Sequence, residues 1–69
     1  MENDTQTGRK RSNIQIGSDV EIVQKQDQRT GKLTLGVVER VLTKSATHPH
    51  GIKVRLESGE VGRVKTVLS

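Results

Sequence analysis

The stretch IKVRLESGEVGRVK, residues 52 to 65, decides how this chain folds. Ile52, Val54 and Leu56 alternate with Lys53 and Arg55 at the period of a half-buried strand. Val64 shares their face if the segment is a hairpin packed on a core. Directly opposed residues of an antiparallel pair lie on one face, so an even-numbered residue must oppose an even-numbered one. That condition requires an odd loop. Glu57, Ser58 and Gly59 supply three residues, with Gly59 where the chain takes up the left-handed conformation after a type I turn. The same parity places Lys53, Arg55, Arg63 and Lys65 together on the opposite face, within cross-strand reach of one another. Like charges directly opposed destabilise an isolated sheet, so a polyanion or a nearby carboxylate is expected to compensate them. Val61 falls on this basic face, which a local bulge or a covering loop would reconcile.

Working outward, IQIGSDVEIVQK reads as a lead-in through Ile14 and Ile16, a turn at Gly17 and Ser18, and a strand over 19 to 25 with Val20 and Ile22 on one face. QDQRTG, residues 26 to 31, is a polar loop ending in glycine. In KLTLGVVERVLTK, residues 32 to 44, Leu33, Leu35, Val37 and Val41 fit strand alternation, while Val37, Val38, Val41 and Leu42 also fit one helix face. Gly36 and the valines favour a strand that bends at the glycine. SATHPHG, residues 45 to 51, is a loop in which Pro49 fixes its own φ and biases His48 toward extended geometry. Residues 1 to 13 have Met1 as their only apolar side chain and are expected to form a disordered tail, with Arg9, Lys10 and Arg11 as a solvated basic run. The domain is therefore expected to span 14 to 69.

Nine Val, five Leu, four Ile, one Met and one Ala must build the core of a 69-residue chain, with no Phe, Tyr or Trp. Branching at Cβ favours strands. A chain this short buries only about 60% of the surface its unfolded form exposes, so stability is modest. About five short strands punctuated by glycine bury aliphatic faces most economically in a small, partly open all-β barrel. The absence of cysteine excludes disulfides and thiolate zinc sites and fits a reducing compartment. No apolar run reaches the roughly 18 residues of a membrane span, and MENDTQTGRKRSN is polar where a secretory signal needs an apolar stretch, so a cytoplasmic protein without membrane contact is expected; a monomer is expected as well. The net charge of +4 permits attraction to nucleic acid or acidic partners without specifying either.

The segments IGSDVEIV, GVVERVL and IKVRLESGEVGRV resemble SH3-like small barrels of the kind found in KOW and Tudor domains. More closely, residues 14 to 68 are similar to the YwbE family of small bacterial proteins, a domain of unknown function. The strings KQDQRTGKLT and THPHGIKVRLE carry that resemblance. It implies a fold and brings no activity with it.

The chemistry is sparse. TGKL fails as a phosphate loop because Gln26 stands where the leading glycine belongs and Leu33 where Ser or Thr belongs. His48 and His50 flank Pro49 without a third ligand, so no metal site or cofactor is expected. Ser45 or Thr47 beside His48 has no orienting third group, and the short chain has little room for a pocket, so no enzyme is expected. Without Phe, Tyr or Trp there is no cage for methylated side chains, and only histidine or arginine planes remain for stacking bases. The expected function is a noncatalytic nucleic-acid-binding module for structured RNA or a ribosomal surface. Its contacts would be Lys53, Arg55, Arg63 and Lys65, extended by Arg29, Lys32 and the loop residues His48, His50 and Gly51. The alternative is a protein-interaction adaptor that uses the loops 24–32 and 45–51, where Gln24, Gln26, Asp27 and Gln28 have no evident structural duty.

Overall fold

Aliphatic rows that alternate with charge produce strands. In the computed structural model, which describes residues 6–69, there are five: β1 (Gln6–Thr7), β2 (Asp19–Gln24), β3 (Thr34–Val41), β4 (Lys53–Leu56) and β5 (Val61–Val67). Their order is β1-β5-β2-β3-β4, and β4 pairs back onto β5. β2, β3, β4 and β5 thus close into a small barrel, with β1 added alongside β5. The all-β barrel expected from the sequence is the fold, and its ring is closed rather than partly open. Closure pairs strand edges that an open sheet would leave bare.

The hairpin parity holds. Lys53 opposes Arg63, Val54 opposes Gly62 and Arg55 opposes Val61. The Leu56 N–H donates to the Glu60 carbonyl (2.8 Å) and the Gly59 N–H to the Leu56 carbonyl (2.9 Å), closing the three-residue loop with Gly59 at φ 104°. The Ser58 hydroxyl donates to the Glu60 carboxylate, and this bond is the main cause of that carboxyl's lowered pKa. Val61 stays on the outer face, opposite Arg55 and half-buried.

Strand β3 corrects the expected alternation. Gly36 pairs with Val20 and Val38 with Leu56, and after a register shift Val41 pairs with Val54. The inward row is therefore Gly36, Val38 and Val41, whereas Leu33 and Leu35 face out at 43% and 67% exposure. Gly36 faces Leu56, whose Cδ1 lies 2.5 Å from where a Cβ would stand. The leucine fills the space a side chain at 36 would need. The strand's irregularity falls at Glu39 and Arg40 instead of at this glycine, and it lets two consecutive charged residues both face solvent.

A second shift lies between β2 and β5, where Ile22 opposes Val64 but Glu21 opposes Thr66. Lys65 and Thr66 both stay out of the core, and Val67 turns back into it. Ile14, Val20, Ile22, Val38, Ile52, Val54, Leu56, Val64 and Val67 form one aliphatic cluster with Val41 packed against it. Burying each such side chain contributes about 1.5–3 kcal/mol before ordering entropy is subtracted.

The N-terminal boundary also moves. Residues 1–5 of the expected tail lie outside the described residues, but 6–13 belong to the domain. Gln6 and Thr7 pair with Val67 and Thr66. The Gly8 carbonyl accepts from the buried Ile52 N–H (2.7 Å), the Arg9 carbonyl from the His48 N–H (2.9 Å), and the Arg11 N–H donates to the Ala46 carbonyl (2.8 Å). Backbone hydrogen bonding orders a segment that has almost no apolar side chains.

Candidate nucleic-acid interface

Lys53, Arg55 and Lys65 are exposed and Arg63 is half-buried, all on the outside of the barrel. They do not behave as one patch. Arg55 Nε lies 3.3 Å from the Glu39 carboxylate, an exposed pair worth about 0–1 kcal/mol. Arg40, which sequence reasoning missed, is the cross-strand partner of Arg55. The consecutive pair Glu39-Arg40 inside an aliphatic strand was the available signal, because plain alternation would bury one of the two charges. Lys53 directly opposes Arg63, and neither forms an ion pair among the described residues.

Arg63 and Lys65 lead from this face into an open groove of about 860 Å³. Its walls are the N-terminal segment, the turn around His50 and Gly51, the outer residues of β5, and the turn that carries Gln28 and Gly31. Arg9, Arg63 and Lys65 line it, and among the described residues no carboxylate does. Arg63 Nη1 donates to the Gly51 carbonyl (3.3 Å), which pins the guanidinium to the wall. Most of its five N–H donors remain for another partner.

The histidines have a structural duty here. His48 Nδ1 accepts from the His50 backbone N–H (3.1 Å), the Gly51 N–H donates to the His48 carbonyl (3.0 Å), and the two rings lie 5.8 Å apart. Desolvation first, then the charges of Arg63 and His50, lower the His48 pKa from 6.5. Between that lowered value and 6.5 the unfolded chain binds the proton more readily than the folded one, so stability rises with pH across this window. The melting temperature is expected to be flat above neutrality and to decline as pH falls below 6.5. His48→Asn, which retains an acceptor without titrating, should flatten that slope in thermal melts recorded at successive pH values. An unaltered slope would assign it to other groups.

The polar loop of residues 24–32 is partly structural, contrary to expectation. Gln24 Nε2 donates to Thr34 Oγ1 (3.0 Å), and the Asp27 carbonyl accepts from the Gly31 N–H (2.8 Å) and the Thr30 hydroxyl (3.3 Å). Lys25–Asp27 is a single 3-10 turn. Arg29 and Lys32 are exposed on the turn whose Gln28 and Gly31 line the groove. Among the described residues, no three of His, Cys, Asp and Glu gather as a metal cluster. Among the described residues, no helix is long and apolar enough to cross a membrane.

Residues 7–67 match the family described as an uncharacterized conserved protein (DUF2196). The chain belongs to this family. It is 56% identical over 62 residues to the uncharacterized protein YwbE of Bacillus subtilis (strain 168), covering 90% of this chain and 95% of that one. No solved structure matches the chain. The family match begins at Thr7, so Arg9 and the rest of the groove's N-terminal wall fall within the DUF2196 domain. Both descriptions leave the activity to be argued from the geometry.

Proposed function

We propose that this DUF2196 protein is a noncatalytic nucleic-acid-binding module that holds a sugar-phosphate backbone. The observation that carries the reading is the cationic track from Lys53 through Arg63 into a groove where Arg9 and Lys65 add charge and, among the described residues, no carboxylate lines the wall. Without Phe, Tyr or Trp, stacking is limited to histidine and arginine planes, so affinity rests mostly on phosphate contacts and falls with salt. Amide-shift titration with a short RNA hairpin should weaken roughly 10²-fold between about 50 and about 200 mM salt if some four phosphates are contacted. Lys53→Ala with Arg63→Ala should weaken binding and reduce the salt slope by about 2, one for each phosphate that is no longer neutralised. An affinity and slope equal to those of the parent would overturn the reading. A KOW-like role is consistent with this proposal.

A second reading is supported by the convergence of both polar loops, through Gln28 and Gly31 and through Pro49 and His50, on the same groove. An adaptor for an acidic protein would retain one stoichiometric partner after nuclease treatment.

A further inference from the structure

Resting on the backbone-binding reading, we infer that the groove is selective for RNA over DNA and reads the ribose 2′-hydroxyl. The groove is mixed in a particular way. Its cations Arg9, Arg63 and Lys65 are donors with no acceptor capacity, whereas Thr7, Gln28 and Thr66 are neutral side chains that both donate and accept. A phosphate is acceptor-only and satisfies the cations. It gives nothing to the acceptor atoms beside them.

Among the described residues, two of these three side chains are free and the third is only partly engaged. The side chains of Gln28 and Thr66 make no hydrogen bond among the described residues, and Thr7 Oγ1 accepts only from the Arg9 N–H (3.2 Å). The strand shift between β2 and β5 is what turns Thr66 out of the core, directly after Lys65, so a cation and a hydroxyl stand side by side. A complementary ligand repeats an anion and an O–H donor along one strand. Ribose-phosphate does so through its 2′-hydroxyl, and deoxyribose-phosphate has no such donor. With no Phe, Tyr or Trp, among the described residues the only planes in the groove for a base are the His50 imidazole and the arginine guanidiniums, so the bases contribute less than the backbone and sequence preference is weak.

The test measures the affinity of the full chain for three hairpins of one sequence at about 100 mM salt, within the range where phosphate contacts still hold: RNA, DNA and 2′-O-methyl RNA. The methylated RNA keeps the A-form shape but lacks the donor, which separates hydroxyl reading from shape reading. RNA should bind about tenfold more tightly than either of the others, corresponding to one or two hydrogen bonds at roughly fivefold each. Thr66→Val with Gln28→Ala should remove that advantage by weakening RNA binding more than DNA binding, with the amide spectrum reporting an intact fold. Methylated RNA that binds as well as RNA would overturn the hydroxyl inference and leave the backbone reading standing. Failure to bind any of the three would overturn both.

Discussion

Gly51→Ala is expected to remove much of the domain's stability. Gly51 holds φ at +100°, where an alanine costs about 1–2 kcal/mol from its Cβ alone. That Cβ would also overlap the main-chain carbonyl oxygen of Val64, in a central barrel strand that cannot rotate aside. Overpacking of this kind adds about 1–3 kcal/mol. The sum, about 2–5 kcal/mol, is a large share of the roughly 3–10 kcal/mol expected for a domain of this size. Gly59→Ala is the control, because it has the same sign of φ (+104°) with nothing within 4 Å of the added atom. Urea unfolding should show position 51 losing at least twice as much as position 59. Equal losses would mean that the turn and β5 are not crowded together at position 51.

Removal of residues 1–9 should be the other large effect. The cut deletes the Gly8 carbonyl that accepts from the Ile52 N–H and the Arg9 carbonyl that accepts from the His48 N–H. Ile52 is fully buried, and an orphaned buried donor costs about 1–3 kcal/mol. The strand pairing with Val67 is lost as well. A total near 3 kcal/mol corresponds to a fall in melting temperature of roughly 10–20 °C for a domain of this size. Hydrogen exchange at the Ile52 amide should accelerate in the same variant. A melting temperature unchanged by the cut would mean that this segment is an ornament on the barrel.

Local arithmetic made the hairpin legible. Residues 52 to 65 contain β4, the loop with the glycine at its left-handed position and the paired half of β5, so side-chain parity alone yielded the register and the outward direction of all four cations. β2 was legible for the same reason, since Val20 and Ile22 alternate with Asp19 and Glu21. In β3, Leu33 and Leu35 suggested one parity, but the partner strands impose the other. Gly36 has room only for hydrogen against Leu56, and Val20 and Leu56 set the register on either side of it.

The sequence by itself determined an all-β domain, because branched aliphatic residues at period two can bury their faces only in paired strands, and it determined the hairpin with its basic outer face. Tertiary structure decided what that face joins. The shifts at Glu39-Arg40 and Lys65-Thr66 turn pairs of residues outward together, an event set by how one strand meets another rather than by either strand's own pattern. The groove likewise draws Arg9 from the N-terminus, Gly51 from a loop and Arg63 from the last strand. Backbone hydrogen bonds hold these residues in place, and because every residue type except proline carries the same N–H and C=O groups, such bonds leave little trace in the sequence.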